Sequence, residues 1–363
     1  MTFWLWTGFL ALVAAILYVD LGVLHKHSHR ITPGKALRNT GVFVLMALSF
    51  AVAIFVIYEN QWMGAERLSF AGKPLTGATA TIEYLSVWLL EYMLSVDNLF
   101  VFTLVFAHFS VPQQHQHRVL FWGILGALIL RGAMIGAGSA LVAAFHWVLY
   151  IFGAILIFTA IKMLVSGDGH FDPARSFTLR IARRLFPITG ELHGERFFVR
   201  QIVDHRRVLM ATPLLLVLLV VEATDVVFAI DSIPVAFGQT REPFIIFTSN
   251  VFAIMGLRSL YFALAGLMGM FKYLKVSLSM ILVFVGVKMI IEHPVEAIPL
   301  SKIPGLGLSD WQIGFAGIDV SAGVSLGVIV SALAVGVIAS IMSRRAALER
   351  EKKAPDDQAS PPS

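Results

Sequence analysis

Nine separate stretches of this chain stay apolar for about 20 residues, the length at which an α-helix crosses the hydrocarbon of a bilayer. They fall at roughly 3–24, 39–58, 82–106, 119–140, 145–165, 208–236, 243–266, 276–292 and 318–342. In lipid every backbone N–H and C=O must find a partner inside the protein, and a helix achieves this within one segment. The runs therefore predict an all-α polytopic membrane protein with about nine transmembrane helices. Composition agrees, with 57% of the 363 residues hydrophobic and 14% charged, where soluble domains are roughly 45–50% apolar. The first run, Phe3 to Val19, has no basic stretch before it and no small-residue cleavage site after it. It reads as a retained span and not a signal peptide.

Lys/Arg asymmetry orients the spans. One set of inter-span segments and the tail hold twenty Lys and Arg; the opposite set holds four, Arg67, Lys73, Arg241 and Lys302. This predicts a multi-pass protein with the N-terminus outside and the C-terminus cytoplasmic. The net charge of +5 then records the same bias. No cysteine is present, which removes disulfides, thiolate metal sites and thiol redox chemistry together. Neither a zinc-finger nor a helix-turn-helix pattern occurs, so the expected partner is the lipid bilayer and no nucleic acid. A basic cytoplasmic loop spans 167–207. Within it Phe177, Ile181, Leu185 and Phe186 fall near helical spacing among arginines, which suits a membrane-surface helix, a docking site or an ordinary linker.

The spans carry charges that hydrocarbon penalises. The stretch EYMLSVDNLFVF contains Glu91, Asp97 and Asn98, and a carboxylate at mid-membrane costs several kcal/mol on the lenient scales. A second stretch, EATDVVFAIDSIPVAF, places Asp231 against Asp97, Ser232 against Asn98 and Asp225 against Glu91, each acid pair six residues apart. Each motif precedes a span with one arginine, Arg131 or Arg258, and then a span with one lysine, Lys162 or Lys288. Two units of three spans with charges in the same order predict two inverted three-helix repeats, since an odd number of spans reverses direction. Transporters built this way hold their sites near the midplane between the repeats.

The predicted organisation is two N-terminal transmembrane helices over 1–60, repeat 1 over 78–166, the basic loop over 167–207 and repeat 2 over 208–292. An outer loop and last helix follow over 293–342, with a disordered cytoplasmic tail over 343–363. Positions six apart on an unbroken helix are separated by roughly 120°. Either each motif helix packs on both sides against protein, or it breaks near its Asp. Pro234 gives the second motif a cause for a break, freeing the Ile230 carbonyl; Phe100 stands at the matching place in the first.

The set Glu91, Asp97, Asn98, Asp225, Asp231, Ser232 and, without a counterpart, Glu222 is all oxygen, which suits Mg²⁺, Ca²⁺ and Mn²⁺ more than zinc or copper. The competing reading pairs these acids with the buried counter-charges Arg131, Lys162, Arg258 and Lys288. Charge counting leaves the acids in excess, further so with Asp20 in the first span. The histidines His25, His27, His29, His108, His115 and His117 all fall at cytoplasmic span ends and read as solvated.

LYVDLGVLHKHS, LSVDNLFVF, HQHRVLFWGILGALILR, HGERFFVR, ATPLLLVLLVVEATDVVFAIDSIPVAF and PFIIFTSNVFAIMGLRSLYF resemble the TerC/Alx family of bacterial integral membrane proteins. The resemblance runs from the first span to about Ile290, and the residues after about Ile291 match less well. It implies a place in the bacterial cytoplasmic (inner) membrane, an architecture similar to the LysE-like exporter superfamily and a part in manganese export, with tellurium resistance as a family label. It places the family's acidic positions on Glu91, Asp97, Asn98, Glu222, Asp225, Asp231 and Ser232, and its first-span acid on Asp20. The expected function is efflux of a divalent metal ion, Mn²⁺ first, with proton coupling compatible. No tightly bound cofactor is expected; Mn²⁺ is the transported ion. The rivals are export of a small organic cation and a stress-associated scaffold recruiting a cytoplasmic or translocation-complex partner. No nucleophile–base pair or phosphate loop suggests an enzyme.

Overall fold

Each apolar run becomes a helix. The computed structural model describes residues 2–19, 33–62, 74–145, 147–165, 180, 184, 187–203, 206–264, 273–292, 295–299, 312–315 and 317–353. The helices are α1 (Thr2–Val19), α2 (Pro33–Glu59), α3 (Gly77–His108), α4 (Gln113–Ala144), α5 (Val148–Val165), α6 (Pro213–Phe237), α7 (Pro243–Leu264), α8 (Leu274–Glu292) and α9 (Ala322–Lys353). Among the described residues all nine are long and apolar enough to span a bilayer. The chain is a mostly helical, multi-pass integral membrane protein.

Burial sorts the helices into layers. α7 is enclosed almost along its whole length. It packs against α2, α3 and α4, and its Phe244, Ile245, Val251 and Phe252 join one apolar core with Phe9, Ile54 and Tyr84. A second core joins α3, α4, α6 and α7 at one end through Phe106, Leu120, Val217 and Leu257. A third joins α5, α6 and α8 at the other through Leu149, Phe237 and Val285. The outer faces of α1 and α2 keep Leu45, Val52 and Leu10 exposed, as lipid-facing side chains should be.

α5 and α8 pack most extensively of any helix pair, because glycines meet where they cross. A Cβ on Gly153 would lie 2.8 Å from the Gly286 carbonyl oxygen, and one on Gly286 would lie 2.8 Å from the Gly153 oxygen. Small residues at the crossing let two membrane helices approach backbone to backbone.

The second half of the chain differs from the sequence expectation in three features. The run expected to enter the membrane at 208 begins as strand β2 (Arg206–Ala211), antiparallel to β1 (Phe198–Val203). The helix starts only at Pro213, whose missing N–H costs nothing at a helix start. α6 also runs unbroken across Pro234. That proline lies three residues from the helix end, so the backbone bond it forfeits to the Ile230 carbonyl falls in a turn about to terminate at Gly238. Finally, α9 continues to Lys353, past residue 342 where the span was expected to end, since Arg and Glu sustain a helix beyond the bilayer. A further pair, β3 (Val295–Pro299) with β4 (Gln312–Phe315), folds back before α9. Most of the expected amphipathic segment at 177–186 lies outside the described residues, as do His25, His27 and His29.

Candidate cation site

Arg131 explains the first half of the charge puzzle. It leaves α4 and is 1% exposed. Its Nε donates to Asp225 Oδ2 at 3.3 Å and its Nη2 to Asp225 Oδ1 at 3.1 Å, a planar fork matched to a carboxylate. Its Nη1 donates to Glu91, to Asn250 Oδ1 at 3.0 Å and to Ser232 Oγ at 3.4 Å. One guanidinium thus binds the aligned acids of the two sequence motifs, Glu91 and Asp225, and ties α3, α4, α6 and α7 together. The pairing is asymmetric in charge, with two buried carboxylates, Glu91 and Asp225, facing one Arg131. Glu91 keeps its second oxygen, Oε1, buried with no hydrogen-bond partner.

Six positions along α6 the geometry turns away, as roughly 120° of rotation requires. Asp225 faces α4, while half-buried Asp231 accepts from Thr159 Oγ1 of α5 at 3.1 Å. Exposed Lys162 sits one turn on along α5, within electrostatic reach of Asp231. Both sides of the motif helix are used without a break. Glu222 stands one turn before Asp225 over Gly126 of α4, where an added Cβ would clash with Glu222 Oε1. Its Oε2 is buried without a partner. Asn98 is buried at 4% exposure on α3. The side chain of Asp97 and the whole of Asp20 lie outside the described residues.

The remaining expected counter-charges divide. Arg258, 3% exposed, lines a cavity of about 20 Å³ with Asp225, Phe102, Leu120 and Val221, room for about one water. Lys288 joins a different cluster. Its Nζ donates to the Gly238 carbonyl at 3.2 Å and lies 3.8 Å from Glu292 Oε1. Buried Glu83 and Glu242 complete this group, and Glu292 also accepts from the Val320 N–H at 3.1 Å. Glu83 begins the α3 span, so an acid near a span boundary was its only sequence signal. Asn250 was missed as well, although it interrupts the apolar run TSNVFAIMGLR. Among the described residues no three His, Cys, Asp or Glu side chains converge closely enough to hold a metal ion.

Helices of this kind around a buried arginine–carboxylate knot define an integral membrane protein whose polar centre is inside the bilayer, the usual mark of a functional site. The sequence profile of the integral membrane protein TerC family matches residues 76–348, and the chain belongs to that family. The match takes in both motifs and most of α9 but leaves Asp20 outside. An uncharacterized membrane protein of Myxococcus xanthus is 45% identical over 305 residues, 83% of this chain and 89% of the relative. A protein of Escherichia coli (strain K12) named Alx, for which a role as membrane-bound redox modulator is proposed, is 41% identical over 288 residues, 79% and 85% of the two chains. An uncharacterized membrane protein of Rickettsia bellii is 38% identical over 294 residues, 81% and 90%. No solved structure matches the chain.

Proposed function

We propose that this protein exports a small divalent cation, Mn²⁺ first, across the bacterial inner membrane. The observation that carries the reading is the Arg131 knot: the aligned acids Glu91 and Asp225 of the two motifs meet at one buried guanidinium, and Glu91 keeps a buried oxygen without a partner. A tethered cation in an oxygen-lined place can give way to a free one. Glu91 Oε1 supplies a spare oxygen beside it and Glu222 Oε2 one a turn before Asp225, with Asp225, Ser232, Asn98 and the motif residue Asp97 as further ligands, and with Asp231, which faces α5, further along the path. Asp20 belongs to the set by family resemblance. All-oxygen donors suit Mn²⁺, Mg²⁺ or Ca²⁺. The 20 Å³ cavity beside Asp225 favours an ion over an organic cation. The paired motifs and the reciprocal Gly153–Gly286 crossing accord with inverted repeats that rock to give alternating access. The redox role proposed for the Alx relatives finds no thiol in this chain, which has no cysteine.

The test is Mn²⁺ flux into vesicles containing the purified protein. Asp97→Asn and Asp231→Asn are each expected to abolish flux while the protein still inserts, with the double change costing little more, because groups acting as a unit are non-additive. Flux should rise with pH over the range in which the acids deprotonate, since metal binding releases protons. Full flux in both variants would overturn the reading and favour a scaffold.

A further inference from the structure

The β1–β2 hairpin carries an unexplained face. Antiparallel pairing sets Arg200 opposite Leu209 and Ile202 opposite Arg207, and directly paired residues share a face, as do residues two apart on a strand. One face therefore displays Phe198, Arg200, Ile202, Arg207 and Leu209. All five are exposed, Ile202 at 73% and Leu209 at 52%. The opposite face is turned inward, with Val199 buried and Gln201 Nε2 3.0 Å from His193 Nε2. A one-sided strand pair that puts its large apolar side chains outward, between arginines, has reversed the usual rule for a sheet facing water.

The hairpin is also held at the membrane boundary. β2 ends at Ala211, and α6 enters the bilayer two residues later at Pro213. Thr212 donates from Oγ1 to the Arg196 carbonyl at 2.7 Å and from its N–H to the Phe197 carbonyl at 2.9 Å. On the α4 side, Arg118 pairs with Glu195 at 3.3 Å and lies over the Phe197 ring. The hairpin root is thus clamped where α4 and α6 begin, beside the headgroups.

We infer that this face rests on the bilayer surface, with Phe198, Ile202 and Leu209 in the acyl boundary and Arg200 and Arg207 on the phosphates of anionic phospholipids. The charge and apolar pattern is that of an interfacial amphipathic element, realised on strands instead of a helix. The attraction of each arginine to anionic lipid adds to the insertion of the apolar side chains. Such contact fixes the end of α6, the helix that carries Glu222, Asp225 and Asp231.

The absence of native cysteine makes the test direct. The full chain carrying Ile202→Cys, Leu209→Cys or Gln201→Cys is labelled with an environment-sensitive fluorophore and reconstituted in vesicles of phosphatidylglycerol and phosphatidylcholine, or of phosphatidylcholine alone. Labels at 202 and 209 are expected to be quenched by nitroxide-bearing lipid several-fold more than the label at 201. Quenching should fall in phosphatidylcholine alone and with Arg200→Glu and Arg207→Glu together. Quenching by aqueous iodide alone would overturn the inference. Protection from both quenchers would also overturn it, in favour of a protein partner or second copy. Lipid quenching indifferent to phosphatidylglycerol would overturn the anionic assignment.

Discussion

Arg131 decides the energetics at the scale of residues. Taking one partner from a buried ion pair strands the other and costs about 3–5 kcal/mol, whereas replacing the whole set by apolar groups is often neutral. Arg131→Met should therefore lower the unfolding midpoint in detergent sharply. Adding Glu91→Gln and Asp225→Asn to Arg131→Met should recover part of that loss. Fully additive losses would mean that the three side chains do not act together. Gly126 gives a second, milder case. A methyl group there would clash with Glu222 Oε1, and the carboxylate, at the end of a flexible side chain, must swing away. Gly126→Ala is expected to leave stability nearly unchanged yet reduce Mn²⁺ flux as far as Glu222→Gln does; unchanged flux would remove Glu222 from the pathway.

Between elements, the α5–α8 crossing leaves little slack. The atom facing each glycine is a backbone oxygen of the other helix at 2.8 Å from the position a Cβ would take, so no side-chain rotation relieves an added methyl. Gly286→Ala should destabilise the protein measurably. Gly136→Ala on α4, where nothing lies within 4 Å, should raise helix propensity without a clash. Thermal melts of the two variants in one detergent compare them directly. An equal effect would mean that α5 and α8 separate without strain. The motif helices teach a related lesson. α6 serves two neighbours from two faces, Asp225 toward α4 and Asp231 toward α5, and so needs no break to use both acids.

At the scale of the whole molecule, Lys/Arg asymmetry and the fold make one prediction about the membrane. Ser176, beside the arginine-rich segment, should be cytoplasmic and Trp62 outside. A cysteine introduced as Ser176→Cys is expected to resist a membrane-impermeant reagent in intact cells, and Trp62→Cys to react. Reaction at 176 from outside would reverse the orientation. The α4 and α6 starts that clamp the hairpin lie on the same side as Ser176 in this scheme, so the same experiment tells which leaflet the hairpin would contact.

The sequence alone determined the parts that depend on local pattern. Apolar length set the helices, since backbone groups in lipid leave no alternative. The spacing of acids six apart singled out Glu91 and Asp225, and four bases were marked by their setting, of which Arg131, Arg258 and Lys288 are buried while Lys162, expected to be buried, is exposed. The family was legible in its long motifs. Only the tertiary structure decided who pairs with whom, because partners 40 to 119 positions apart in the chain leave no periodic trace. Arg131 went to the motif acids, Lys288 to Glu83 and Glu292 at the other end of α3, and Asn250 entered unannounced. Pro234 was overruled as a helix breaker by its place in the last turn. The strands before α6 were hidden in an apolar run, since a short apolar segment fits helix and strand alike and only its pairing with Phe198–Val203 distinguishes them.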